Sequence, residues 1–310
     1  MIDNTLSHQV QSLVERQLCE WPLVRDNYAA LERAEVREIW LGESRIILQH
    51  NPERIRSTAA DVSDEAIQAR PCFLCDANQP VEQEAVHWKS DDGSEYKIQV
   101  NPYPIFRRHL TISLREHKPQ KCLKRDMMQL AQLLPGYVIM FNGKGCGASA
   151  PDHLHFQATM QQELPLCAEL EDRADNSGLD TCYGDRNLWI DGDTGRQLIY
   201  IRVRLIDSAI LYDMSHALNG LMRNALCWFK DDVWHYVFFP RTKGRPQCYG
   251  TGEGCFLVSP AAAEYGGVWV LPRKQDFEHL TPELICSFYK ELSINSLEMG
   301  HIYDAYVRVN

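Results

Sequence analysis

The feature that most constrains this chain is the alternation of polar and apolar side chains in His153-Leu154-His155-Phe156-Gln157. In an extended strand, side chains two residues apart share a face, so the polar three would project together while the apolar two enter a core. Leucine and phenylalanine need burial and imidazoles need hydrogen-bond partners, so a solvated edge strand does not explain the pattern. We therefore predict a strand with one ligand-facing side. The alternative is a strand whose histidines are merely satisfied core groups.

A glycine-rich loop comes directly before this strand. Three glycines and a lysine lie within residues 142–149, a composition that lets backbone N–H groups approach an anion closely. The spacing is not that of a Walker loop, and a glycine-rich turn alone is often only structural. Next to His-x-His-x-Gln, however, it becomes a candidate phosphate-binding loop. The residues predicted to contact nucleotide or phosphate there are Asn142, Gly143, Lys144, Gly147 and Ser149.

A second pattern is the Cys-x2-Cys pair formed by Cys72 and Cys75. This spacing lets both thiolates reach one tetrahedral zinc ion, but two further ligands must come from elsewhere in the chain. A redox pair and two inert core cysteines are the alternatives. The remaining cysteines of the eleven are scattered, which is typical of reduced thiols in a protein without disulfides.

Charge and hydropathy exclude several classes of function. A formal net charge of -10 argues against a general nucleic-acid-binding protein, which usually carries an excess of basic residues. No apolar run approaches the roughly 18 residues that a membrane span needs. The first residues lack the basic and apolar regions of a signal peptide, so we expect a cytoplasmic protein without a membrane partner.

The two motifs together resemble the histidine-triad superfamily, in its nucleotidylyltransferase and phosphorylase branch. Asn142-Gly-Lys-Gly-x-Gly-Ala-Ser149 followed by His-x-His-x-Gln is similar to the signature of galactose-1-phosphate uridylyltransferases, and His153-Leu-His-Phe-Gln-Ala158 is closer to GDP-hexose phosphorylases. In that family the second histidine attacks the α-phosphorus of a nucleotide and the glutamine binds the phosphoryl oxygens. The resemblance thus implies His155 as the nucleophile and Gln157 as its phosphate partner.

The same resemblance completes the metal site and adds a nucleoside contact. Bacterial uridylyltransferases of this type hold zinc with a cysteine pair, a histidine after a later strand and the first motif histidine, which correspond here to His117 and His153. The Asn-x-(aromatic)-Pro segment of the superfamily lines the nucleoside pocket, which implies that Asn101 contacts ribose or base. A rigid strand connection without a ligand is the alternative for that segment.

The implied function is nucleotidyl transfer by a ping-pong route. His155 would take the nucleotidyl group from a nucleotide sugar, and phosphate or a sugar 1-phosphate would then accept it. A dinucleoside tetraphosphate phosphorylase shares this plan and remains an alternative. A hydrolase is disfavoured because Gln157 stands where a third histidine would serve as general acid. A non-catalytic, zinc-stabilised nucleotide sensor is the rival from another class.

We predict an α+β fold of two fused histidine-triad-like halves, each an antiparallel sheet with flanking helices. Residues 1–172 would hold a helical arm and the catalytic half, and residues 173–310 would hold a degenerate second half. Large members of the superfamily occur as monomers or as homodimers, and both states stay open for this chain. Helices are predicted within 3–35, 121–137, 208–227 and 281–297. Strands are predicted at 37–42, 44–50, 96–106, 109–114, 138–141, 153–160, 196–204, 233–239, 255–259 and 266–271.

Overall fold

The computed structural model of the protein describes residues 5–55, 59, 63–122, 124–176, 194–204 and 220–308, with the backbone alone for 303–308. The predicted α+β class is confirmed, with two sheets flanked by helices. The strands are β1 (Glu35–Leu41), β2 (Ser44–His50), β3 (Val86–Lys89), β4 (Glu95–Val100), β5 (Leu110–Leu114), β6 (Tyr137–Asn142), β7 (His155–Met160), β8 (Ile199–Val203), β9 (Met222–Lys230), β10 (Val233–Arg241) and β11 (Val268–Leu271). The helices are α1 (Thr5–Glu20), α2 (Pro22–Glu32), α3 (Asp64–Ala69), α4 (Lys124–Leu133), α5 (Pro165–Asn176), α6 (Ala262–Tyr265), α7 (Lys274–His279), α8 (Pro282–Leu292) and α9 (Ser296–Arg308).

The larger sheet joins the two predicted halves. Its order is β3-β4-β5-β7-β6-β9-β10-β8, and every neighbouring pair is antiparallel. The contact between halves is the pairing of β6 with β9, from Val138 opposite Trp228 to Asn142 opposite Asn224. The smaller sheet has the order β1-β2-β11, in which β11 runs parallel to β2. Strands from both sides of residue 173 therefore share each sheet, and the proposed domain boundary stays a prediction.

The two faces of the larger sheet contact two separate cores. On one face, alternate residues of β4, β5 and β7, such as Ile98, Ile112 and Phe156, pack with α1, α2 and α4. On the other face, residues of β6 and β9, such as Met140 and Trp228, pack against the smaller sheet, α5 and α8. Period-2 alternation in β4, β5 and β7 therefore has the expected cause, because one face of these strands is apolar and the other is not.

The second face of β4, β5 and β7 is a polar surface that holds the sequence motif. In an antiparallel pair, directly opposite residues share a face. Ser113 lies opposite both Lys97 and His155, and Thr111 lies opposite both Gln99 and Gln157. His155 and Gln157 therefore project from the same side, as predicted, while Leu154 and Phe156 enter the core. The members of this polar face are Lys97, Gln99, Thr111, Ser113, His155 and Gln157.

Several predicted elements are wrong in the carboxyl-terminal part. Residues 222–227, predicted as the end of a helix, form the start of β9, and the rest of that prediction up to 219 lies outside the described residues. Strand β9 is buried on both faces, which removes the alternation that identifies a strand. Residues 255–259 are not a strand, because the backbone there bonds to side chains: the Leu257 N–H donates to Asp276, and Arg273 donates to the Cys255 carbonyl.

The remaining predictions agree with the structure except at element ends. The predicted helix over 281–297 ends at Leu292, and a second helix begins at Ser296. The acidic stretch beyond Glu163 forms α5 with Leu166, Cys167 and Leu170 buried. Residues 177–193, which follow this helix, lie outside the described residues. None of the described helices has the length and apolar character that a bilayer span requires.

Candidate functional site

The imidazole of His155 is held in one tautomer. Its Nδ1 lies 2.8 Å from the carbonyl oxygen of His153. A carbonyl only accepts hydrogen bonds, so Nδ1 carries the proton and Nε2 carries a lone pair. His155 is 4% exposed, and burial lowers the pKa of its imidazole below the usual value. The ring is therefore neutral with a lone pair on Nε2, which is the state that a nucleophilic imidazole requires.

Gln157 is oriented by a histidine that the sequence analysis did not assign to the site. His109 Nδ1 accepts the Ile105 N–H at 3.3 Å, so its Nε2–H donates to Gln157 Oε1 at 3.3 Å. This contact leaves the amide N–H groups of Gln157 on the side away from His109. Burial, and next the charge of Arg54, lowers the pKa of His109 to about 3, which keeps the ring neutral. Gln157 is thereby presented as a hydrogen-bond donor.

Gln120 fixes the beginning of strand β7. Its Oε1 accepts the His155 N–H at 2.9 Å, and its Nε2 donates to the carbonyls of His155 and Asn142 at 2.9 and 2.8 Å. The side chain thus bridges the ends of β6 and β7 where the two strands separate to admit the glycine-rich loop. No local pattern in the sequence singles out this glutamine.

Four predicted metal ligands meet at one point beside His155. One ligand atom from each of Cys72, Cys75, His117 and His153 lies within 4.8 Å of the others. His153 Nδ1 is 3.2 Å from Cys72 Sγ and 3.6 Å from Cys75 Sγ, and His117 Nδ1 is 3.3 Å from Cys75 Sγ. Tetrahedral zinc, with bonds of about 2.0 to 2.3 Å, sets its ligand atoms a similar distance apart. The donor set fits zinc.

The metal-ligand side chains have supporting contacts of their own. His153 Nε2–H donates to the Leu114 carbonyl at 2.6 Å, which leaves Nδ1 for a metal. The buried Lys97 donates to the Leu74 carbonyl and to Gln79 Oε1, each at 3.0 Å, and pairs with Asp76. A lysine on the polar face therefore fixes the cysteine loop to the sheet.

The glycine-rich loop packs closely against the second half of the chain. A Cβ on Gly143 would lie 2.7 Å from the Arg223 carbonyl oxygen, and one on Gly147 would lie 2.4 Å from the Ala261 Cβ. From the other side, a Cβ on Gly244 would lie 1.9 Å from the Gly145 carbonyl oxygen. At least part of the glycine content therefore serves close backbone approach within the protein.

The other residues predicted in this loop have protein partners of different kinds. The buried Asn142 accepts from Asn224 Nδ2 at 2.9 Å and from the Ala262 N–H at 2.8 Å through one oxygen. Lys144 forms an exposed ion pair with Asp64. The Ser149 carbonyl accepts from Arg70 at 3.2 Å. Asn142 thus joins the loop to the second half, while Lys144, Gly147 and Ser149 keep solvent contact.

Asn101 lies at the edge of the polar face, where it shapes a rigid turn. Its Nδ2 donates to Thr111 Oγ1 at 3.1 Å, and its Oδ1 accepts the Tyr103 N–H at 2.9 Å. Tyr103 is 43% exposed at the tip of the turn. Phe106, which follows the turn, is a core residue. Three side chains donate to successive carbonyls of the turn, those of Tyr103, Pro104 and Ile105, in the order Arg54, Asn51 and Gln49.

The basic residues of the second half mostly serve the fold. Arg241 is 2% exposed, and it donates to Asn224 Oδ1 at 2.5 Å and to the Pro260 carbonyl at 3.0 Å. Lys243 pairs with Glu291, and Lys274 pairs with Glu35. Together with the Asn224–Asn142 contact, Arg241 completes a buried polar chain between the halves that the sequence analysis did not anticipate.

Comparisons with known proteins agree with this architecture. A family model described as a domain of unknown function (DUF4922) matches residues 13–160. No curated protein matches the chain. A crystal structure of yeast Ap4A phosphorylase Apa2 matches with a TM-score of 0.58 at 16% identity, covering 95% of this chain and 96% of that chain. Its complex with AMP gives 0.60 at 16% identity, covering 95% and 98%, and its complex with Ap4A gives 0.56 at 16% identity, covering 88% and 96%. The chain therefore has the fold of these phosphorylase structures.

Proposed function

We propose that the protein is a nucleotidyltransferase of the histidine-triad superfamily that works through a covalent nucleotidyl-histidine at His155. The observation that carries this proposal is the hydrogen bond from His155 Nδ1–H to the His153 carbonyl, which directs the lone pair of Nε2 toward an incoming ligand. Gln157 lies two residues further along the same face, and because its Oε1 accepts from His109, its amide N–H groups remain for a phosphoryl oxygen. These contacts support His155 as the nucleophile and Gln157 as its phosphate partner.

The reaction divides into two displacements at one phosphorus atom. Nε2 of His155 attacks the α-phosphorus, so a P–N bond forms while the P–O bond to the leaving phosphate breaks. The ring becomes cationic and keeps its Nδ1–H bond to the His153 carbonyl, which stabilises that charge. An oxygen of the acceptor then attacks the phosphorus, and the P–N bond breaks with return of neutral His155. Gln157 donates to the phosphoryl oxygens in both steps.

The first donor to test is a dinucleoside tetraphosphate, with orthophosphate as the acceptor. The support is the shared fold with structures of an Ap4A phosphorylase over nearly the whole of both chains. A nucleotide sugar, with phosphate or a sugar 1-phosphate as acceptor, is the second candidate, because His153-Leu-His-Phe-Gln-Ala158 resembles GDP-hexose phosphorylases. Both reactions pass through the same intermediate on His155.

Zinc would be held by Cys72, Cys75, His117 and His153, and it would supply a fixed tetrahedral anchor. His153 directly precedes β7, so holding its side chain positions the carbonyl that orients His155. The accessible loop residues Lys144, Gly147 and Ser149 are proposed phosphate contacts, and Asn101 is a proposed nucleoside contact. Asn142 and Gly143 would shape that loop from its buried side.

Intact-protein mass spectrometry tests the proposal. The protein is mixed separately with diadenosine tetraphosphate, GDP-mannose and UDP-glucose, and His155→Ala is the control. A mass increase equal to a nucleotidyl group, absent from the variant and discharged by phosphate, is the expected result. Nucleotide binding without an adduct from any donor would contradict the covalent route and support the non-catalytic sensor.

A further inference from the structure

Ser113 lies beside the nucleophile and has no explained role in the fold. It stands on β5 directly opposite His155, on the polar face of the sheet. The residue is 0% exposed, and its Oγ is buried without a hydrogen-bond partner among the described residues. Side chains opposite each other on one face of an antiparallel pair have Cβ atoms about 5 Å apart. The Ser113 hydroxyl is thus an immediate neighbour of the imidazole.

The neighbours of Ser113 are already committed to other partners. Lys97, opposite Ser113 on β4, bonds to the cysteine loop through Leu74, Asp76 and Gln79. His155 uses its Nδ1–H for the His153 carbonyl. Thr111, two residues before Ser113 on the same face, accepts from Asn101. In contrast to these groups, the Ser113 hydroxyl is desolvated and unsatisfied.

An unsatisfied buried hydroxyl destabilises a protein, and native structures hold few such groups. Such a hydroxyl is explained if a bound ligand accepts a hydrogen bond from it. A phosphoryl group on His155 Nε2 would bring non-bridging oxygens to the polar face next to the Ser113 side chain. A hydroxyl can donate to such an oxygen without any change of protonation state.

We propose that Ser113 is a catalytic residue whose hydroxyl donates a hydrogen bond to a non-bridging oxygen of the nucleotidyl group on His155. The inference rests on the proposed nucleotidyl transfer. It adds a second hydrogen-bond donor besides Gln157, and this donor comes from β5, the strand that pairs with β7. Negative charge on the non-bridging oxygens in the transition state strengthens this bond, so Ser113 accelerates formation and discharge of the intermediate. No proton is transferred from the hydroxyl.

The test combines Ser113→Ala with two measurements, the rate of adduct formation and the midpoint of thermal unfolding without nucleotide. The expected rate falls about 100- to 1,000-fold, on the order of the loss of one transition-state donor. The expected unfolding midpoint rises or stays unchanged, because an unsatisfied hydroxyl is removed. A residue that only supports the fold would show the opposite stability change. Ser113→Thr, which keeps the hydroxyl, should recover part of the rate.

Ser44→Ala is the matched control. Ser44 is equally buried, but its Oγ donates to Glu169 at 2.8 Å on the smaller sheet. This variant should lose stability and keep the wild-type rate of adduct formation. If Ser113→Ala fails to fold, Ser113→Cys, nearly the same size with a weak donor, takes its place with the same expected slow rate.

The outcomes separate the two proposals. Adduct formation by Ser113→Ala or Ser113→Cys at the wild-type rate would overturn the role of Ser113 and leave the covalent mechanism standing. Absence of an adduct in the wild-type protein with every donor would overturn the mechanism and this role with it. A slow adduct in a variant at least as stable as wild type would establish Ser113 as a donor to the reacting group.

Discussion

At the scale of single residues, the site depends on hydrogen bonds whose direction is set by the acceptor. Backbone carbonyls of His153 and Leu114 fix the tautomers of His155 and His153, so that one exposes Nε2 and the other exposes Nδ1. The two histidines of the motif can therefore serve the two different roles proposed for them. Their rings bond to the backbone through opposite nitrogens, which leaves Nε2 of His155 for a nucleophilic attack and Nδ1 of His153 for a metal.

Metal removal is the first residue-scale prediction. Cys75→Ser should lower bound zinc, measured by elemental analysis of the purified protein, and should lower the thermal unfolding midpoint by several degrees. The physical reason is that metal-binding free energy contributes directly to folding. Cys19→Ser, which changes an exposed cysteine on α1, should leave both quantities unchanged. Equal zinc content in the two variants would contradict the four-ligand site.

A second residue-scale prediction concerns acid stability. His235 is 3% exposed and bonds to the Tyr200 hydroxyl at 2.6 Å; burial, followed by the charges of Arg202 and Lys230, lowers its pKa to about 3. The unfolded chain takes up this proton near pH 6.5, whereas the folded chain does not until near pH 3. Stability should therefore fall as the pH is lowered through this window.

The contribution of His235 can be measured from the slope of the unfolding free energy against pH. His235→Gln removes the proton that unfolding takes up, so the pH dependence of the unfolding free energy between pH 6 and 4 should become shallower by about 1.4 kcal/mol per pH unit. Urea unfolding at several pH values measures this slope. His279→Gln, at an exposed position on α7, should keep the wild-type slope. An unchanged slope in His235→Gln would show that the buried ring is not neutral.

At the scale of elements, the glycine-rich loop and the loop around Gly244 form one packed unit. Gly244→Ala places a Cβ 1.9 Å from the Gly145 carbonyl oxygen, a backbone atom that cannot move aside without displacing the loop. We expect a loss of stability of about 2 kcal/mol or more, typical of overpacking, together with slower adduct formation. Denaturant unfolding measures the stability, and intact-mass kinetics measures the rate of adduct formation.

The matched control for this element is Gly252→Ala. Its Cβ would meet Cys255 Sγ at an ordinary 3.8 Å, so stability and rate should stay near those of wild type. A Gly244→Ala variant that behaves like Gly252→Ala would show that the two loops do not need the close approach. In that case phosphate binding, which the composition of the loop first indicated, would remain as the explanation for its glycines.

At the scale of the whole molecule, the sheet continues across the boundary between the predicted halves. Residues 1–172 expressed alone should be insoluble or should unfold without cooperativity, because removal of β9 exposes an edge of β6 and its apolar side chains Val138 and Met140. Co-expression with residues 173–310 should restore a soluble complex. Gel filtration and thermal unfolding measure both results. A monomeric first fragment with a sharp unfolding transition would contradict this coupling.

Features that depend on near neighbours in the chain could be predicted from the sequence alone. Period-2 alternation predicted β7 and its polar side, and the Cys-x2-Cys spacing predicted two members of the cluster that could hold a metal. Resemblance to a family supplied the other two, His117 and His153, and the structure brings all four together. These patterns can be read locally because strand geometry and ligand spacing repeat over a few residues.

The distant groups that contact strand β7 could be found only from the folded chain. Gln120 and His109 form hydrogen bonds with residues of β7, and Ser113 lies opposite His155 in the strand register, but no local spacing relates them to His155 or Gln157. Strand β9 was predicted as a helix because burial on both faces erases its period. The close approach of Gly244 to the glycine-rich loop could not be predicted, because it lies about a hundred residues away in the chain. Pairing between remote strands and close backbone approach are properties of the folded chain, so the sequence indicates the candidate site residues while the fold shows what holds them.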